Sequence, residues 1–239
     1  AESCRALADD AMARARRSDD DRALAAAHTV LALVAAHDGD RLANDTHYLR
    51  ALDHAERAGD LLQVIRIRLN RGSRLNEEGF YDEAIAELDL AIGLADLGGY
   101  AAFKGIALNN RGEARRQLGQ FERAMDDLES AKAIFQRLGS TLVAYPLNEA
   151  GQVHAARGQT ALARAAFTEA IEVSRTSGDV QGLVPGLAGL ARLLAEDDPA
   201  AARSLADDAV AVGGEGLGQV EALLAQGWVA LAGGDGDTA

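Results

Sequence analysis

The sequence predicts an all-α fold, a solenoid of about twelve helices stacked as antiparallel pairs, and three observations carry that reading. Small residues return every 39 or 40 positions, at Gly39, Gly79, Gly119 and Gly158, each echoed by Ala51, Ala91, Ala131 and Ala170. A period of that length marks stacked supersecondary units. Hydrophobic residues make up 48% of the 239 residues but aromatics only 4%, so the core must be built from Ala, Leu, Val and Ile; small side chains let helices approach closely, and Ala favours the helix itself. Glycines fall where helical periodicity breaks, as left-handed helix ends and tight turns require.

The elements follow in order. A helix near 2–17 carries Cys4, read as a small apolar residue. Helices near 20–37 and 41–57 form the first pair, with Ala32 on the leading helix and Asn44, Tyr48 and Ala51 on the trailing one. The pair near 60–77 and 81–97 repeats the pattern with Gly72, Ala84, Leu88 and Ala91, the pair near 100–118 and 121–137 with Gly112, Ala124, Leu128 and Ala131, and the pair near 141–157 and 160–176 with Gly151, Ala163, Phe167 and Ala170. Gly59, Gly99, Gly139 and Gly178 close successive pairs. The fifth pair, near 180–196 and 199–212, is degenerate: Asp197 stands in the glycine column, Pro199 opens the trailing helix, and Ala202 and Ala209 keep the alanine columns. A last leading helix near 216–233 carries Gly227, with Gly234 seven residues on. The phase predicts one solenoid over 1–239 that begins and ends inside a repeat, part of a larger multidomain protein. A glycine inside a helix costs about 1 kcal/mol relative to Ala, so Gly72, Gly112, Gly151 and Gly227 are expected where another helix crosses closely.

The stretch from Leu69 to Ile92, with Asn70, Gly72, Gly79, Tyr81, Ala84 and Ala91, resembles the tetratricopeptide repeat, and Asn109–Ile134 and Asn148–Ile171 repeat it in register. The repeat is longer than the common 34 residues, and this length resembles the sensor regions of MalT-like bacterial transcription regulators. The resemblance implies a right-handed superhelix whose first helices line a concave wall. It places Arg66, Asn70, Ser73 and Asn76 on one helix of that wall, Asn109, Asn110, Glu113 and Arg116 on the next, and Tyr145, Asn148 and Gln152 on a third. Amides bond both faces of a peptide group, and Arg grips a carboxylate in two places. The implied partner is a peptide, a protein or a small polar ligand. Asn70 and Asn110 also stand where the repeat uses Asn structurally, and Arg66 and Arg116 have acids nearby to pair with.

Other function classes recede. The net charge of −13 argues against direct nucleic-acid binding, which needs clustered cations. No GxxxxGK[ST] loop occurs, so an ATPase or DNA-reading module of such a regulator would lie elsewhere. A single cysteine forms no internal disulfide and fits a reducing compartment, and no run approaches the ~20 apolar residues of a membrane span; a cytoplasmic location is expected. Lys104 and Lys132 are the only lysines among 24 basic residues, an arginine bias suggesting a GC-rich bacterial genome. His47 and His54 share a helical face, short of the three or four ligands a metal site wants. His154 lies near the wall. The glycine-rich run at 212–222 reads as an interhelical turn, since a helix and not a strand precedes it. Acidic residues of the "MDDLES" and "ADDAV" segments read as a solvated convex face. No nucleophile–base constellation stands out, so no enzyme activity, cofactor or metal is expected. A stand-alone scaffold and an oligomerisation arm pairing through its solenoid ends remain as alternatives.

Overall fold

The computed structural model describes residues 2–213 and 218–233. Among them are twelve α-helices and no strand: α1 (Glu2–Ser18), α2 (Asp21–His37), α3 (Arg41–Arg57), α4 (Leu61–Glu77), α5 (Tyr81–Gly98), α6 (Ala101–Gln117), α7 (Phe121–Arg137), α8 (Ala144–Ala156), α9 (Thr160–Ser177), α10 (Val180–Leu194), α11 (Pro199–Gly213) and α12 (Gly218–Ala232). They fall into two compact units, residues 1–114 and 115–239. Within the first, α2 pairs with α3 and α4 with α5; within the second, α8 pairs with α9 and α10 with α11. No described helix is long and apolar enough to cross a membrane.

The turns follow from two residues in succession. Gly39, Gly59, Gly79, Gly99, Gly119, Gly139, Gly158 and Gly178 all take positive φ. At Gly99 the φ of 73° lets the Tyr100 N–H reach back to the Ala95 carbonyl at 2.8 Å, the bond that closes a Schellman end. Where the next residue is Asp, it starts the following helix. The carboxylates of Asp40, Asp60 and Asp179 accept from the backbone N–H groups of Ala43, Gln63 and Gln181, satisfying donors the first turn leaves open. Asp19, forty residues before Gly59, keeps the left-handed geometry at φ 51° without being glycine. Asp197 does not: the turn after α10 has no left-handed residue, and Asp198 caps α11 by accepting from Ala201 N–H at 3.1 Å.

The alanine columns are as the repeat predicts, and so are Gly72 and Gly151. Ala51, Ala91, Ala131 and Ala170 are fully buried, as are Ala84, Ala124, Ala163, Ala202 and Ala209. A Cβ on Gly72 would stand 2.8 Å from Leu88 Cγ, and one on Gly151 would stand 2.6 Å from Phe167 Cε1. Gly189 of α10 packs against the same ring edge, where a Cβ would come within 2.5 Å of Cε1. Gly227 departs from its column: among the described residues no atom lies within 4 Å of where its Cβ would be, so no described helix crosses there.

Three other expectations need correction. The helix expected from 141 begins as a 3₁₀ turn over Thr141–Val143, and α8 starts at Ala144. Pro146 has no N–H to return to the Leu142 carbonyl, so the first turn tightens. The helix drawn to 196 ends at Leu194. Cys4, read as a small apolar residue, lies on the exposed side of α1. Asp127 of "MDDLES" is buried, bonded to Arg115 at 2.6 Å, while Asp126 and Glu129 are solvated. Residues 214–217 of the glycine-rich run, and Gly234, lie outside the described residues.

Candidate functional site

In the first unit, Arg66, Asn70 and Ser73 lie at three- and four-residue spacing along α4, so they share one face. Arg66 is exposed, and Asn70 and Ser73 are half-buried. The Asn110 amide of α6 donates to Ser73 Oγ at 2.7 Å. Asn76 is buried and donates to the Asn110 carbonyl at 2.8 Å, and Asn109 donates to Asn110 Oδ1 at 3.3 Å. Glu113 is half-buried. Adjacent first helices α4 and α6 are thus clipped together by side-chain amides.

The second unit repeats the clip. Asn148 of α8 donates to the Gly182 carbonyl of α10 at 2.8 Å, a spacing of 34 residues, as between Asn76 and Asn110. In both clips the amide N–H₂ is spent on the neighbouring helix. The Oδ1 atoms of Asn76, Asn109 and Asn148 are buried with no hydrogen-bond partner among the described residues, a costly state for a polar atom.

Charge gathers on the same first helices. Arg116 of α6 bonds Glu149 of α8 at 2.9 Å, both about one-fifth exposed. Arg192 of α10 faces Glu221 of α12 at 3.8 Å. Burial raises the Glu221 pKa, the nearby Glu149 charge raises it further, and Arg192 and Arg116 oppose the rise. Four charges of alternating sign, one from each of α6, α8, α10 and α12, therefore form one cluster. An open cavity of about 500 Å³ adjoins it, lined in part by Val180, Gln181, Val184, Pro185 and Glu221. Tyr145 and Gln152, both half-buried, flank Asn148 and Glu149 by one turn on either side. The Tyr145 pKa is raised by burial and by Asp179, whose carboxylate is hydrogen-bonded to the phenol.

Sequence reasoning missed Glu149, Arg192 and Glu221. Glu149 neighbours Asn148 in the chain, but only the folded spacing pairs it with Arg116. His154 is engaged with Gln159 at 2.7 Å at the end of α8. In the first unit the histidines form a cluster that spacing half revealed. His28 of α2, which was not expected there, meets His47 at 2.9 Å between Nδ1 atoms and stacks on His54 at a 5.6 Å centroid distance. His54 in turn meets Asp21 at 2.6 Å. Burial lowers the His28 pKa to about 4, with the charges of His47, His54, Arg50 and Arg16 acting the same way. No three His, Cys, Asp or Glu side chains among the described residues are arranged to hold a metal ion.

Paired helices of this length, divided by left-handed glycines and crossed at Gly72 and Gly151, define the repeat. Residues 104–176 match the tetratricopeptide repeat. The tetratricopeptide-like fold extends beyond that segment in solved structures. The BtubC (BKLC) protein from P. vanneervenii superposes with a TM-score of 0.73 at 24% identity, over 88% of this chain and 90% of that one. Aspartyl phosphate phosphatase F from Bacillus subtilis gives 0.78 at 12% identity, over 95% of this chain and 61% of its own. A Rap protein complexed with competence and sporulation factor gives 0.63 at 16%, over 88% and 64%. At these identities the likeness is one of fold. None of the curated protein sequences matches this chain.

Proposed function

We propose that this chain is a non-catalytic binding domain, the sensor region of a bacterial transcriptional or signalling regulator, and that it takes a peptide on its first-helix faces. The observation that carries this reading is the Arg116–Glu149–Arg192–Glu221 cluster of the second unit. Surface ion pairs add about 0–1 kcal/mol to stability, whereas half-buried charges from four successive first helices offer a peptide complementary sites along its length. Gln152 and Tyr145 stand beside the cluster as amide and phenol partners for peptide groups. The likeness to a Rap protein complexed with competence and sporulation factor supports a tetratricopeptide-like array as a frame for such a ligand. The repeat length of 39 or 40 residues supports the regulator setting.

The test is selection of binding peptides from a displayed random library against the full chain, followed by calorimetry on the tightest. Arg116→Ala and Gln152→Ala should each weaken that peptide between fivefold and fiftyfold while the circular dichroism spectrum is unchanged. Asn109→Ala and Arg66→Ala probe the first-unit face with the same peptide. Unchanged affinity in all four variants would remove both faces from consideration.

A further inference from the structure

The exposed face of α5 carries an apolar stripe where other trailing helices carry polar and charged groups. Leu90, Gly93, Leu94 and Leu97 follow one another at three- and four-residue spacing, the four positions that make the hole into which a side chain of a facing helix packs. Leu90 is 51% and Leu97 82% exposed. In register with them, α3 has Arg50, Asp53, His54 and Arg57, and α9 has Glu169, Glu172, Val173 and Thr176; on α7, Ser130 and Arg137 replace the two exposed leucines. The first and last of the four positions are exposed on all these helices, so the stacking of repeats leaves this face to solvent.

Two further observations set α5 apart. Gly93 lies inside the helix, where glycine costs stability relative to alanine, yet no described atom lies within 4 Å of where its Cβ would be. Packing among the described residues gives no reason for it, whereas the floor of a hole does. Beside the stripe, an open cavity of about 350 Å³ lies between α3 and α5 against the first half of α4, lined mainly by Ala55, Leu61, Val64, Leu90 and Leu94. Its counterpart in the second unit presents Ser140, Thr141, Glu172 and Thr176. The repeat makes the slot, and the residues of the first unit make it apolar.

The charges at the rim select the occupant. Helix α5 carries five acids and no lysine or arginine. Asp89 and Asp96, next to Leu90 and Leu97 in the chain, pair with Arg111 and Lys104 and are still more than half exposed. Glu56 lines the slot from α3, and Arg68, the base that lines it, is held by Glu56 at 3.2 Å and by Glu87 at 2.9 Å. An apolar hole edged by acids suits an apolar ridge flanked by cations. It disfavours an anionic lipid surface, and two copies of this face would set acid against acid. An extended peptide needs free backbone partners, which the middle of a helix spends on itself. Side-chain packing into the hole is what a second helix offers.

We propose that this stripe and slot form a docking site for a basic amphipathic helix of a partner protein, with a large apolar side chain seated over Gly93 and lysines or arginines beside Asp89, Asp96 and Glu56. The site is separate from peptide binding, which uses the polar faces of first helices.

The probe is a labelled synthetic helical peptide with leucines at three- and four-residue spacing and lysines between them, titrated with the full chain at physiological salt and followed by fluorescence anisotropy. It should bind saturably, and the same peptide with glutamate in place of lysine should not. Leu90→Gln combined with Leu97→Gln, both at exposed positions, should weaken binding about tenfold. Gly93→Gln favours the helix yet fills the hole, so it should weaken binding as much while the unfolding midpoint holds or rises. Thr176→Gln, at the matching place on α9, should change nothing. Failure of the lysine peptide to bind would overturn the proposal, as would equal affinity across the α5 variants, which would reduce the attraction to bulk charge. Two other results would replace the occupant and so overturn it: phosphatidylglycerol vesicles that retain the parent chain but not the Leu90→Gln, Leu97→Gln variant, or a dimer in sedimentation velocity that the same variant abolishes.

Discussion

Replacing Gly151 by alanine isolates the helix crossing that the repeat period encodes. Two effects oppose each other. Alanine in a helix interior gains about 1 kcal/mol over glycine. Against this, the new Cβ would lie 2.6, 2.7 and 2.8 Å from Cε1, Cδ1 and Cζ of Phe167, far inside normal contact. The ring has little room to retreat, because Gly189 is packed against the same edge: a Cβ there would also come within 2.5 Å of Cε1. Relief therefore requires a shift of α8 against α9, and overpacking of this kind costs about 1–3 kcal/mol. With the aromatic so confined the upper part of that range applies, leaving a net loss of about 1–2 kcal/mol. The assay is urea unfolding followed at the helical circular dichroism band. A repeat array need not unfold in one step, so hydrogen exchange of the α8 and α9 amides provides the local reading. Gly227→Ala is the control: with no described atom within 4 Å, it should gain up to about 1 kcal/mol. Gly151→Ala combined with Phe167→Leu should recover part of the loss. A Gly151→Ala variant as stable as the parent, or more so, would refute the crossing argument.

Acid should loosen the first unit before the second. His28 binds no proton in the folded state until pH falls to about 4, whereas the unfolded chain takes one up near 6.5, so this contribution is complete above pH 6.5 and lost as pH falls toward 4. The limit is roughly 3 kcal/mol, His47 titrates in the same direction, and the amide exchange of α2 and α3 measured between pH 7 and 4.5 is the check. His28→Leu should flatten that dependence. Asp19→Gly should stabilise the α1–α2 turn by about 1 kcal/mol, since a left-handed non-glycine residue costs that much or more, and Gly99→Ala should cost a similar amount with no steric component, both read as shifts in the urea midpoint. Asn148→Ala frees the Gly182 carbonyl from its 2.8 Å bond and should lower stability by about 1–2 kcal/mol; an unchanged midpoint would mean the clip is idle.

Helix order and turns were legible in the sequence because glycine and alanine act there through backbone geometry and close approach, both of which leave a fixed spacing. The site was less legible. Asn76, Asn110 and Asn148 sit on the predicted first helices, yet their amides hold neighbouring helices together, and the same residue type would serve a ligand equally well. Glu149, Arg192 and Glu221 escaped notice because an ion pair between helices depends on the distance of two side-chain tips, which no period records. His28 joined His47 and His54 for the same reason. Gly227 shows the limit from the other side. It has the column of Gly72 and Gly151, but a glycine signals room for a neighbour and does not supply one.

The division of labour within the repeat bears on how binding should be probed. The alanine columns, Phe167 and the clip residues Asn76, Asn109 and Asn148 are buried, so substitutions there report on the fold whatever they do to a ligand. Arg116, Glu149 and Gln152 are only half-buried, and none of them stands in a glycine or alanine column. Removing one partner of the Arg116–Glu149 pair would leave the other charge with water still in reach, which keeps the cost to the fold small, whereas a ligand that replaces that water would feel the loss in full. A loss of affinity at Arg116 or Gln152 without a change in the unfolding midpoint therefore speaks for contact. The same loss at Asn76 or Asn148 does not, because a slackened clip would move the helices that carry the charges.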